Sequence, residues 1–166
     1  KEGLQVPPVM IISTTSRCNL TCKGCYMHAR NENPRTEMRP DILTSVIDQA
    51  ADLGVSILVI AGGEPLVRAD EIFRIAQAHP TILFPVFTNG LLIDEEMADI
   101  LSSCRNIVPL ISFEGFRDET DARRGDGVFN RLLATCHLLS SRGIFFGCSI
   151  TATSANHEIV TGDVFI

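Results

Sequence analysis

Apolar residues along the chain arrive in two alternating patterns. Short β-branched runs cover Val9 to Ser13, Val55 to Ile60, Ile82 to Phe87, Ile107 to Ser112 and Ile144 to Ile150. They are continuous and do not alternate with polar residues, as expected of strands buried on both faces of a parallel sheet. Between them, apolar residues recur at helical spacing. Ile42, Leu43, Val46, Ile47, Ala50 and Leu53 share one helix face, opened by Pro40 and Asp41 and stopped by Gly54. Ile72, Phe73, Ile75 and Ala76 predict a second helix, and Met97, Ile100 and Leu101 a third behind Asp94. Phe129, Leu132, Leu133, Cys136 and Leu139 predict a fourth, ended by Gly143, and a pattern resuming at Ala155 reads as the start of a fifth. About five βα repeats, without low complexity or a linker, predict an α/β fold on a parallel sheet, either doubly wound or curled into a barrel. Pro85 and Pro109 fall inside predicted strands, where a missing donor belongs at an edge or a bulge.

Composition narrows this picture. The 166 residues are 45% hydrophobic and 20% charged, the profile of one folded domain with a single core. A net charge of −6 argues against a DNA or general nucleic-acid binder. No apolar run reaches the roughly 18 residues of a membrane span. Of the 14 basic residues, twelve are Arg, which suits carboxylate or phosphate pairing. The chain opens on Lys1-Glu2-Gly3, with no visible targeting signal, and closes on the apolar Val164-Phe165-Ile166. Such an end reads as a fragment, a core domain over residues 1–166 with further units outside it.

Polar and glycine-rich residues gather after the strands. The first run leads into Cys18, Cys22 and Cys25, the second into Gly62-Gly63-Glu64-Pro65, the third into Thr88-Asn89-Gly90 and the fourth into Ser112-Phe113-Glu114-Gly115. Thr151, Thr153, Ser154 and Asn156 follow the fifth. In parallel α/β folds the carboxyl ends of the strands carry the active site.

Three of the six cysteines lie within eight residues, as Cys18-x3-Cys22-x2-Cys25, whereas Cys104, Cys136 and Cys148 are scattered and read as core packing. With no secretory signal, the cluster reads as a metal ligand set in a reducing compartment. The loop alone leaves several readings open. Three thiolates on a four-iron cluster leave one iron free to bind a further ligand. With His28, the same loop could close a Cys3His zinc site of purely structural function. An iron–sulfur electron carrier would call for a fourth Cys ligand, which the sequence does not visibly provide.

Taken together, the motifs from about Met10 to Asn156 resemble the radical S-adenosylmethionine (SAM) superfamily. Cys18, Cys22 and Cys25 match its CxxxCxxC loop, and Gly62, Gly63, Glu64 and Pro65 its GGEP loop. The resemblance implies a partial (βα)6 TIM-like barrel and a [4Fe–4S] cluster on the three cysteines, whose open iron is chelated by the amino and carboxylate groups of SAM. One electron then cleaves SAM to methionine and a 5′-deoxyadenosyl radical, which abstracts a hydrogen atom from the substrate. Zinc has no redox chemistry and would not support this. The GGEP backbone would approach the SAM amino group, Gly62 and Gly63 leaving room for it. Thr88 and Asn89 match a TNG loop; Ser112 and Glu114 match S-x-[DE]-G residues near the SAM carboxylate and ribose hydroxyls. In Arg123-Arg124-Gly125-Asp126-Gly127, an arginine, Arg124 in this assignment, would pair with the SAM carboxylate. The alternative is that both arginines cap the next helix.

The family often places an aromatic residue before the third cysteine; here Gly24 stands there and Tyr26 follows. The usual core has six βα units against the five counted here, and many relatives append a domain with auxiliary clusters. The resemblance leaves the substrate as a small molecule, peptide or lipid. It also implies an electron donor such as flavodoxin or ferredoxin, and a cytoplasmic, oxygen-poor setting.

Overall fold

The computed structural model describes residue 3, residues 5–29 and residues 37–163, with the side chains of residues 28 and 29 outside that description. In chain order the elements are β1 (Val9–Ser13), α1 (Tyr26–Ala29), α2 (Pro40–Asp52), β2 (Ile57–Ala61), a 3-10 turn (Pro65–Arg68) and α3 (Ala69–Ala78). There follow β3 (Phe84–Thr88), α4 (Glu95–Ser103), β4 (Ile107–Phe113), α5 (Arg117–Arg124), α6 (Val128–Ser141), β5 (Gly147–Ile150) and α7 (His157–Val160). Every strand pairing is parallel and the strands lie in the order β1-β2-β3-β4-β5. That order separates the two architectures left open by the βα rhythm. Each crossover steps to the next strand in one direction, so the sheet winds as a segment of a barrel and does not grow both ways from a centre.

One side of the sheet is packed against helices. Leu58, Ile60, Phe84, Val86 and Ile111 are almost fully buried in one cluster with Leu43 and Ile47 of α2, Ile72 and Ile75 of α3, Leu101 of α4 and Leu132 and Leu139 of α6. The alternate residues face away from that core and are less covered: Ile11 is 70% exposed and Val9 46%, while Val108 of β4 is buried. The expectation of strands buried on both faces therefore holds for the helix side and, on the second face, at Val108 of β4 but not for β1, because among the described residues no helical layer covers the second face.

Both prolines sit inside central strands, not at edges. The β2–β3 ladder keeps one register on either side of Pro85, with bridges Ile57↔Leu83 and Ile60↔Val86, and is interrupted between them, where proline offers no N–H. Strand β5 joins β4 only from Leu110 onward, so β4 passes Pro109 with β3 as its one partner. The pattern expected from Ala155 onward yields only the four-residue α7. Of the scattered cysteines, Cys104 is buried and Cys136 half-buried, with burial pushing the Cys136 thiol up to about 11. Cys148 is exposed, contrary to the core-packing expectation, because it lies on β5, the last strand of the sheet.

Truncating Phe84→Ala removes a fully buried ring and is expected to lower stability by about 3–5 kcal/mol. Ile11→Ala, on the open face, is expected to change it by less than about 0.5 kcal/mol in the same urea denaturation series.

Candidate functional site

The loops after the strands are joined into one structure at the carboxyl end of the sheet. Pairing between β1 and β2 continues past the strand ends: Thr14 N–H donates to the Ala61 carbonyl (2.9 Å), Gly63 N–H to Thr15 (2.7 Å) and Glu64 N–H to Arg17 (2.8 Å). The start of the cysteine loop therefore lies flat on the GGEP segment. A Cβ at Gly62 would sit 2.5 Å from the Thr15 carbonyl oxygen, and one at Gly63 only 2.2 Å from that of Arg17. Gly62 also has φ +143°. Both glycines are needed for this backbone contact, a packing role beside the cofactor approach expected from sequence. Beyond the cysteines, the Tyr26 hydroxyl returns to the Gly62 carbonyl at 3.4 Å.

Glu64 is fully buried. Its Oε1 accepts from Leu66 N–H (3.0 Å) and the Thr88 hydroxyl (2.8 Å), and its Oε2 from Asn89 N–H (2.7 Å). This carboxylate ties the loop after β2 to the loop after β3. Burial pushes it above the usual carboxylate range, against the pull of those donors and of Arg124. Asn89 then reaches the cysteine loop, its Nδ2 lying 2.6 Å from Asn19 Oδ1 and 3.8 Å from Cys18 Sγ.

Glu114, at the end of β4, is the second buried carboxylate. Arg124 donates to its Oε1 from Nε (3.0 Å) and Nη2 (2.6 Å), and Arg123 Nη1 lies 2.6 Å from its Oε2. Neither arginine caps α6. That cap is Asp121, whose two oxygens accept from Gly127 N–H (3.0 Å) and Phe129 N–H (2.7 Å). Arg123 also bonds the Lys23 backbone, between Cys22 and Cys25. Ser112 is half-buried beside Ser149 of β5. A cleft of about 570 Å³ opens here, lined by Lys23, Gly24, Glu114, Arg123, Thr153 and Asn156 among others. A hollow of about 630 Å³ at the opposite end of the sheet is lined by Cys104 and Asn106, but the Asn106 amide is already spent on the carbonyls of Ala76, His79 and Ile82.

The three loop cysteines are free and partly buried. Burial pushes the Cys18 thiol up, helped by the charges of Glu64, Cys22 and Cys25; burial also raises Cys22, with Arg124 and Arg123 opposing it. Three soft sulfur donors in one loop, with no fourth Cys in it, suit an iron–sulfur cluster with one open iron. Among the described residues no three His, Cys, Asp or Glu side chains already stand in a metal-holding group. The side chain of His28, the fourth ligand of the zinc alternative, lies outside the described residues.

Several residues at this site carry no motif signal. Arg68 has a side chain only 7% exposed, pairs with Glu71 and donates to the Thr14 carbonyl. Asn156 donates to the carbonyls of Glu114 (2.7 Å) and Thr151 (2.9 Å), joining the ends of β4 and β5. The signals present were the Asn after β5 and an Arg three residues beyond the Pro of GGEP, at the end of the 3-10 turn.

Residues 12–155 match the Radical SAM superfamily. The chain is 33% identical to Fe-coproporphyrin III synthase of Methanosarcina barkeri over 90% of its length and 38% of the relative's. It is 32% identical to mycofactocin maturase MftC of Mycolicibacterium smegmatis over 86% of its length and 37% of that relative's. The chain thus spans well under half the length of these relatives. The fold superposes on Streptococcus suis SuiB bound to S-adenosylmethionine with a TM-score of 0.76, 23% identity, and coverage of 93% of this chain and 36% of that one.

Gly63→Ala is expected to destabilise the protein by about 2–3 kcal/mol or more, since backbone and not a side chain must yield; thermal unfolding checks it. In metal-free protein, Cys18 and Cys22 should alkylate with iodoacetamide more slowly than free cysteine at about pH 8, because only the thiolate attacks. Their rates should climb as pH rises past the ordinary thiol value, read by mass spectrometry of each peptide.

Proposed function

Because the chain belongs to the radical SAM superfamily, we propose that it holds a [4Fe–4S] cluster on Cys18, Cys22 and Cys25 and, with S-adenosylmethionine bound, is the catalytic core of a radical enzyme. The observation that supports this most directly is the hydrogen-bonded union of the cysteine, GGEP, TNG and S-F-E-G loops at one end of the sheet. When bound, cluster and SAM together supply a one-electron cleavage that gives methionine and a 5′-deoxyadenosyl radical able to take a hydrogen atom from a substrate. The protein's part is binding, orientation and exclusion of water.

Each residue then has a definite task. Gly62 and Gly63 bring their backbone beside the cysteine loop, where the SAM amino group would bind. Glu64 has its carboxylate filled by protein donors, so it acts by holding Thr88 and Asn89 in place and not by touching the cofactor. Arg124 uses Nε and Nη2 on Glu114; its Nη1 is the donor for the SAM carboxylate. Ser112, next to Glu114, faces the nucleoside, while Glu114, its carboxylate taken by Arg124 and Arg123, holds those two arginines in place. An external one-electron donor of the flavodoxin or ferredoxin class supplies the electron. Relatives named for tetrapyrrole and for maturase chemistry favour a small molecule or a peptide as substrate over a lipid.

Anaerobic reconstitution with iron and sulfide, followed by EPR of the dithionite-reduced protein, tests this reading. A [4Fe–4S]+ signal that shifts on adding SAM is expected, with release of 5′-deoxyadenosine. Cys22→Ala should abolish the signal, and Arg124→Gln should keep the signal while weakening SAM binding at least about tenfold, the loss of one charge-assisted contact. A protein that binds one zinc and no iron would refute the assignment.

A further inference from the structure

The turn carrying Cys22 and Cys25 is gripped by the end of α5. Cys25 N–H donates to the Cys22 carbonyl at 3.3 Å, closing a tight turn in which Gly24 takes φ +68°. A Cβ at Gly24 would meet nothing within 4 Å, so glycine serves the backbone conformation there and not space. Lys23 and Gly24 are both exposed. The brace comes from 100 residues away. Lys23 N–H donates to the Arg123 carbonyl at 2.8 Å, one of the carbonyls a helix leaves unpaired at its C-terminus. In return Arg123 Nε donates to the Lys23 carbonyl at 3.2 Å. The Nη1 end of the same guanidinium rests against Glu114, whose side chain is 2% exposed.

We propose that Arg123 is a positioning residue for the cysteine loop: its guanidinium, anchored on the buried Glu114, fixes the Lys23 peptide and so sets the spacing of the Cys22 and Cys25 thiols. This rests on reading those cysteines as cluster ligands. The neighbouring arginines divide the work. Arg124 gives both of its protein contacts to Glu114 Oε1 and none to the loop, whereas Arg123 spans from Glu114 to the loop backbone. Only a planar fork can lie against Glu114 and donate to the Lys23 carbonyl at once, so lysine at position 123 keeps the charge beside Glu114 and the backbone bond from Lys23 N–H but loses the side-chain bond to the Lys23 carbonyl.

Within residues 1–166 lysine occurs only at Lys1 and Lys23, so a lysine-specific endoproteinase reports on the loop at one bond, Lys23–Gly24. In metal-free protein, Arg123→Lys and Arg123→Leu are expected to raise cleavage at Lys23–Gly24 at least about tenfold, because cutting tracks local opening; mass spectrometry of the fragments separates this bond from the new lysine site that the first variant carries at position 123. Arg142→Ala, which removes a pair with Glu95 and Asp99 on α4, should cut at the wild-type rate. After reconstitution, Arg123→Lys should bind as much iron as wild type while the EPR line shape of its reduced cluster changes. Equal cleavage of wild type and Arg123→Lys overturns the proposal, as does faster cleavage with an unaltered EPR signal. If Arg123→Leu does not fold, Arg123→Lys decides. Wild-type protein that takes up no iron overturns the cluster reading and this role with it, while the cleavage rates still measure the grip itself.

Discussion

Two backbones meet at the end of β1 and β2 with no room between them for a methyl group. The Gly63 Cα stands where any Cβ would press to 2.2 Å from the Arg17 carbonyl, well inside the 3.4–4 Å of ordinary contact. Everything else at the site is hung from this contact. It lets strand pairing run on through Thr14, Thr15 and Arg17, so the chain enters the cysteine loop already fixed in direction. A side chain here would force the loop away by more than an ångström, and the bonds from Asn89, Tyr26 and Arg123 to that loop would all lengthen together. Arg68 reinforces the contact from behind, through its bond to the Thr14 carbonyl.

The two buried carboxylates brace the remaining loops by different chemistry. Glu64 is held by neutral donors, two N–H groups and one hydroxyl. Each such bond contributes a net ~1 kcal/mol, and the larger effect is that none of the three donors is left buried and unpaired. Glu114 is held by two guanidinium groups and carries its charge inside the protein. A buried ion pair of this kind adds little net stability, since desolvation offsets the attraction, but losing one partner costs about 3–5 kcal/mol. The Glu114 triad is therefore better understood as a device for geometry: it determines where two arginines point.

Much of the frame could be read from residue pattern. The β1 run has the same bounds in the sequence and the structure, and Asp94 caps α4 by accepting from Met97 N–H as its position implies. The loops with chemistry were legible because glycine, cysteine and single acidic residues stand out against apolar strands. What was not legible is direction. Glu64 stands out as part of the GGEP match, but nothing in the pattern says that its side chain turns inward to satisfy three donors. Asp121, six residues before the Gly127 it caps, gives no local sign of that role, and the two arginines beside it were open to the cap assignment instead. Cys148 follows the strand pattern of a buried residue but lies exposed on the last strand, because burial depends on what packs above a strand and not on the strand's own sequence.

The thiol environment explains why the loop is both guarded and receptive. Burial and the charge of Glu64 hold the Cys18 proton on, and burial does the same at Cys22. Ionising Cys18 and Cys22 without a cation would place like charges together in a partly desolvated loop. A cationic cluster would offset the like charges and favour the thiolates, so its binding would release protons. Arg123 and Arg124 already favour the thiolate at Cys22, so the loop is not uniformly hostile to charge. Since the loops after β2 and β3 and the end of α5 already hold the backbone around the cysteines, a cluster bound there would cost deprotonation and side-chain rotation, not the ordering of a flexible chain.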